Sequence, residues 1–124
     1  MELEARPFFG VMGVVPPFHW GVQSSVEPRA FGGNLDLRHL VPGSRLFVPV
    51  FQDGALFSVG DGHAIQGDGE VCLTAVETAL RGTFQLTLHK SLNLDGPYAE
   101  IDSHYITIER IRTSMMQRNQ LSGK

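Results

Sequence analysis

The apolar positions of this chain fall into short runs separated by turn-forming residues. Phe8 to Val15 (FFGVMGVV) is rich in Val and Phe, is stopped by Pro16-Pro17, and reads as a buried strand or a strand edge. Pro16 to Asn34 has no clean period and reads as loop, with His19 and Trp20 placed to pack over the core. Gly32-Gly33-Asn34 reads as a turn, because paired glycines relax the sign of φ. Leu35 to Leu37 reads as a brief strand, and Val41-Pro42-Gly43-Ser44 as a type II turn. Arg45 to Phe51 (RLFVPVF) and Ala55 to Val59 (ALFSV) flank Gln52-Asp53-Gly54. Asp-Gly between apolar runs predicts a hairpin, with Pro49 placing the first run at an edge or a bulge.

Further along, Val71 to Leu80 (VCLTAVETAL) fits strand or helix on pattern, and its β-branched residues favour strand. Thr83 to His89 (TFQLTLH) alternates Phe84, Leu86 and Leu88 with polar neighbours and is the cleanest half-buried strand. Asn93 to Gly96 is a turn, and Tyr98 to Ile108 (YAEIDSHYITI) one or two further strands. Residues 1–108 thus form one β-rich domain. Glu109 to Lys124 is a polar tail of mixed charge, either a marginal helix or frayed chain. About seven or eight strands with closely spaced turns predict an all-β sandwich or barrel.

Composition narrows the function classes. The 124 residues suffice for one domain, and 42% apolar content excludes a mainly disordered chain. Fourteen glycines and seven prolines fit a turn-rich all-β protein. No run approaches the roughly 20 apolar residues of a membrane span. A net charge of −3 makes no electrostatic case for nucleic acid. The acidic N-terminus lacks a signal-peptide layout, so a reducing cytoplasm is the expected compartment. The single cysteine, Cys72, excludes an intramolecular disulfide framework and all-cysteine zinc sites, and reads as a small core residue.

One segment stands apart. Gly60 to Glu70 (GDGHAIQGDGE) holds four glycines, three carboxylates and a histidine in eleven residues. It suits neither a stable helix nor a regular strand and reads as a loop. Asp61 and His63 are two apart, so in extended backbone they project to the same side; Asp68 and Glu70 repeat the spacing. One imidazole with two or three carboxylates is the mixed donor set of catalytic zinc, manganese or iron sites. The plain alternative is a pair of Asp-Gly turns with a surface histidine. Against it, acids so close together repel unless a cation or hydrogen-bond donors neutralise them. Glu77, in an otherwise apolar run, is either an outward-facing solvated residue or a member of the site. Asn34 and Asp36 follow a double glycine and read more readily as an Asx-type turn than as members of a site. His19, His39, His89 and His104 lack ligand spacing and read as structural or exposed.

Several strings together resemble the acetamidase/formamidase family. They are FFGVMGVVPP at Phe8–Pro17, GGNLD at Gly32–Asp36, PVF-x-x-GALFSVGD at Pro49–Asp61 and H-A-x-QGDGEV at His63–Val71. Thr74 to Glu77 is similar to the strand that follows, and His104-Tyr105-Ile106 to a later His-Tyr segment. The resemblance implies a jelly-roll-like β-sandwich and metal-assisted hydrolysis of short linear amides to a carboxylate and ammonia. Family members are considerably longer, and the tail after Ile108 departs from their pattern. The chain is therefore expected to be a truncated gene, a fragment or a minimal relative.

On this reading Asp61 and His63 hold a divalent metal, zinc foremost, with Asp36 as third ligand. Glu70 is the general base, with Asp68 or Glu77 next in line. Asn34 and Gln66 donate hydrogen bonds to the amide carbonyl or orient the substrate. A homo-oligomer is expected, since self-association would cover exposed edges. Two other readings compete. One is a non-catalytic sandwich module that binds a cation or docks on another subunit. The other is a calcium-stabilised carbohydrate-binding sandwich, which does not account for the QGDGE string.

Overall fold

The computed structural model describes residues 2–102 and 104–108. The expected polar tail, 109–124, lies outside them. Among the described residues the chain is nearly all β, with seven strands and two 3-10 turns. The strands are β1 (Phe8–Gly13), β2 (Gly32–Asn34), β3 (Arg45–Phe47), β4 (Ser58–Ile65), β5 (Val76–Glu77), β6 (Tyr98–Ile101) and β7 (His104–Thr107). They form two antiparallel sheets, ordered β2-β1-β4-β5 and β3-β6-β7. Met12 of β1, Leu40 and Ala99 of β6 are buried together, with Phe9, Leu46 and Ile106 packed on them. The core therefore lies between side chains of both sheets, as the expected all-β sandwich requires. Among the described residues no helix is long and apolar enough to cross a membrane.

β1 forms as the Val- and Phe-rich run predicts, and its place between β2 and β4 explains its burial along most of its length. The Pro42-Gly43 turn closes with Ser44 N donating to Val41 O at 3.0 Å, and Gly43 takes φ 94°. Tyr98–Ile101 and His104–Thr107 pair antiparallel as β6 and β7. Across β3 and β6, the paired Phe47 and Tyr98 rings stack at 4.4 Å.

Several expectations are corrected. Gly32 and Gly33 are not a turn but most of β2, with φ 96° and 120°. A Cβ at Gly32 would strike the backbone of Met12 and Gly13, so the glycine allows β2 to lie against β1. The expected hairpin around Asp53-Gly54 keeps its turn, with Ala55 N donating to Gln52 O at 3.1 Å. Its arms part, however: β3 pairs with β6, and β4 with β1. Pro49 has no N–H for a ladder, and Ala55 and Leu56 take φ near 50°, which breaks the extended run.

Gly60 to Ile65 is not loop. It belongs to β4, the longest strand, which is held between β1 and β5. Strand propensity is weak and yields to pairing on both edges. Only Val76–Glu77 of the run 71–80 is strand; 71–73 turn, and Cys72 is exposed rather than in the core. Leu35 to Leu37 forms no strand, because Asp36 takes φ 44°. Thr83 to His89 has no ladder partner among the described residues. Phe84 nevertheless packs on Phe9 and Phe57, and His89 on Phe47.

Candidate metal centre

Three segments converge above Gly10. β4 pairs with β1 so that His63 faces Phe8 and Asp61 lies opposite Gly10. The Phe8 ring meets the His63 imidazole edge-on at 4.8 Å. The chain leaving β2 is caught by β1: the amides of Leu35 and Asp36 both donate to the Gly10 carbonyl, at 2.8 and 3.1 Å. This places Asp36 beside Asp61. A Cβ at position 10 would sit 2.5 Å from an oxygen of each carboxylate, so glycine leaves the floor of the cluster open.

His63 is 1% exposed, the most enclosed large side chain described. Its Nδ1 lies 2.9 Å from Gln66 Oε1, and Gln66 Nε2 donates to the Asp36 carbonyl at 2.7 Å. This chain of contacts sets the tautomer. A carbonyl only accepts, so the Gln66 amide nitrogen must face Asp36 and its oxygen must face His63. Nδ1 therefore carries a proton, and in the neutral imidazole Nε2 presents a lone pair. That lone pair lies 3.1 Å from Asp61 Oδ2 and 3.9 Å from Asp36 Oδ1, and neither contact is aligned as a hydrogen bond. Nε2 and Asp36 Oδ1 are both buried without a hydrogen-bond partner. Asn34 Nδ2 donates to the other Asp36 oxygen.

His63 Nε2, Asp36 Oδ1 and Asp61 Oδ2 thus face one another with no hydrogen bond among them, an arrangement that costs about 1–3 kcal/mol per unpaired atom. A cation held by these atoms would remove that cost. The donor set and the open floor over Gly10 therefore fit a divalent metal. The donor atoms of Asp36, Asp61 and His63 all lie within 4.8 Å of one another.

A second group, His63, Glu70 and Glu77, is equally close and shares the histidine. Glu77 pairs with His63 across β4 and β5 and accepts a hydrogen bond from Thr74 Oγ1 at 3.3 Å. Glu70 enters from the 3-10 turn Asp68–Glu70. Partial burial, followed by a hydrogen bond to Asp36 and the charges of Asp36 and Asp61, raises its carboxyl above its ordinary value; His63 works against this. Asp68, on the same turn, faces outward with its side chain 86% exposed and meets Arg38 at 3.6 Å.

The fold thus brings Asp36, Asp61, His63, Gln66, Asn34, Glu70 and Glu77 together, while Asp68 sits apart. The amides of Asn34 and Gln66 are engaged in holding Asp36 and His63. Gly10 was not singled out by sequence reasoning, although an isolated glycine inside a strand pattern marks a close approach.

Known proteins resemble this chain over part of its length. Over 47 residues, 38% of this chain, it is 53% identical to an acetamidase of Mycolicibacterium smegmatis, and spans 12% of that protein. Over 57 residues, 44% of the chain, it is 49% identical to a formamidase of Methylophilus methylotrophus, and spans 14% of it. The fold superposes, with a TM-score of 0.66 and 34% identity, on a solved structure described as a predicted acetamidase/formamidase from Thermoanaerobacter tengcongensis. That match covers 77% of this chain and 31% of the other. The chain therefore spans less than a third of the length of these relatives. The sequence model of the Acetamidase/Formamidase family matches residues 21–116. With the fold and sequence in agreement over most of its length, the chain belongs to the acetamidase/formamidase family.

Proposed function

We propose that this protein takes part in the hydrolysis of short linear amides, of the formamide and acetamide type, to a carboxylate and ammonia. The relatives' names support the reaction class. The single observation that carries a metal-assisted route is the buried, unpartnered His63 Nε2 facing the Asp36 and Asp61 carboxylates. Asp36, Asp61 and His63 would hold a divalent cation, zinc foremost by its mixed nitrogen and oxygen donors. When bound, such a cation acts as a Lewis acid toward the amide carbonyl and toward water.

The chain's own residues supply the rest. Gln66 orients His63, and Asn34 orients Asp36. Both amides stay in the reading as substrate-orienting groups, because each bonds a side chain of the cluster. Glu70 is the group that moves protons. Its raised proton affinity suits a carboxyl that takes a proton from water and returns it to the leaving nitrogen. Glu77 is the next choice for that role. Asp68, turned toward Arg38, is the last. Exposed Phe18, Leu86 and Leu88 support a homo-oligomer, and the exposed free thiol of Cys72 suits a reducing compartment.

The test combines elemental analysis with an assay of ammonia release from formamide and acetamide. Near-stoichiometric zinc is expected, and His63→Ala should lose it. Glu70→Gln should keep the metal and lose turnover by about 10²–10⁴-fold. Metal retained in full by His63→Ala would sink the ligand assignment. An unchanged rate in Glu70→Gln would remove Glu70 from proton transfer.

A second reading has an observation of its own, the small share of its relatives that the chain spans. In it the sandwich is a non-catalytic module that holds the cation and docks on another subunit. A folded, metal-loaded protein that releases no ammonia from either amide would favour it.

A further inference from the structure

A second polar cluster lies on the far side of Gln66. Arg6, Arg38, His39, Ile65 and Gln66 line a cavity of about 160 Å³. At ~30 Å³ per water, it has room for a few waters or one small ion. Two arginines, a histidine and a glutamine belong to its lining, and no acidic residue does. They do so in a chain whose net charge is −3.

The surrounding structure prepares these groups for a ligand. The Arg6 amide donates to the Ala64 carbonyl at 2.9 Å, which ties the chain before β1 alongside β4, next to Ile65 and Gln66. His39 Nδ1 is buried and has no hydrogen-bond partner, an arrangement that folding disfavours unless something pairs with it. Gln66 commits its oxygen to His63 and one amide proton to Asp36, and its second amide proton has no partner among the described residues. Arg38 meets Asp68 at 3.6 Å, but with side chains 43% and 86% exposed that pair is weak and open to competition.

We infer that this cavity binds a small oxyanion. The guanidinium groups of Arg6 and Arg38 would clamp it, and His39 Nδ1–H and the free Gln66 N–H would donate hydrogen bonds. Carboxylates and inorganic phosphate share this chemistry. Gln66 forms the wall between the cavity and the metal cluster, so the carboxylate freed from an amide would be produced next door. That identification rests on the hydrolase reading; the oxyanion site itself does not.

The experiment titrates the full chain, as purified, with acetate and separately with inorganic phosphate. Ionic strength is held constant with chloride, and the side-chain resonances of His39 and Gln66 are followed by NMR. Both are expected to shift and saturate. Arg6→Gln and Arg38→Gln should each weaken binding by about tenfold or more. Arg45→Gln is the control. Arg45 is on the other sheet, paired with Glu100 at 3.5 Å, and makes the same charge change, so it should stay within about twofold. Tighter acetate assigns a carboxylate site, tighter phosphate a phosphate site, and either supports the cavity as the binder. Shifts that never saturate would overturn the proposal. So would equal affinity in all three variants, which would put the anion on the metal cluster instead. All three variants keep Asp36, Asp61 and His63, so metal content and ammonia release report separately on the hydrolase reading.

Discussion

Three acids at the site share an unusual backbone. Asp36, Asp61 and Glu70 take φ of 44°, 58° and 45°. Left-handed backbone costs a non-glycine residue about 1–2 kcal/mol, and such residues persist where the surroundings hold them. Here the Gly10 carbonyl, accepting from both Leu35 and Asp36, is such a constraint. Gly10→Ala is therefore expected to push both carboxylates apart. Metal content should fall, and urea unfolding should report a loss of about 1–3 kcal/mol. A variant with full metal and unchanged midpoint would show that the floor is not needed. Gln66→Leu tests the tautomer argument. Metal affinity should drop about 10–100-fold, as for other partners that orient a ligating histidine. Competition with a chromophoric chelator measures it, and unaltered affinity would leave Gln66 without that role. Asp61 and His63 were legible as a pair, because spacing of two in extended chain is a local property. Asp36, 25 and 27 positions away, is named beside them as a third ligand, but no local spacing shows that meeting, since it depends on how β2 returns along β1.

At the scale of elements, pattern located the apolar runs but did not say which backbone pairs with which. Thr83 to His89 alternates cleanly, yet alternation describes only where side chains point. A strand also needs a neighbour, and this segment has none among the described residues. Its anchor is Phe84, 40% exposed and set against Phe9 and Phe57. Phe84→Ala should cost about 2 kcal/mol, less than the roughly 3–5 of a fully buried ring. Chemical denaturation measures it, and a loss below about 0.5 kcal/mol would mean that the segment is not held by that ring. The opposite failure occurred at Gly60 to Ile65. Its glycines and acids argue against a strand, but β1 and β5 on either side supply the ladder. Gly62 adds a local reason, because a side chain there would strike Thr78 and Leu80 as they pass.

For the whole molecule, the buried apolar set is small: Phe8, Met12, Val14, Ala30, Phe31, Leu40 and Ala99 are the buried hydrophobic residues among those described. Leu86 and Leu88 remain 71% and 68% exposed. A fold with so modest a core gains proportionately more from a bound ion. Ligand at 100 times its dissociation constant adds about 2.7 kcal/mol, which for a domain near this size is on the order of 10 °C in Tm. Removing metal with EDTA should lower Tm by that order, and added zinc should restore it. A melting curve indifferent to EDTA, in protein shown to have carried metal, would mean that the cluster does not couple to folding.

The sequence by itself determined the class of fold, the positions of most turns, and the residues with chemistry to offer. It could do so because turn chemistry, apolar alternation and donor type are properties of neighbouring residues. The family resemblance was legible for the same reason, being carried by contiguous strings around GGNLD and QGDGE. Tertiary structure alone decided which strands share a sheet and that a glycine-rich stretch would become the longest strand. It also decided that Gln66 would turn the His63 lone pair toward two carboxylates. Those outcomes depend on hydrogen bonds between residues far apart in the chain, and no local pattern records them.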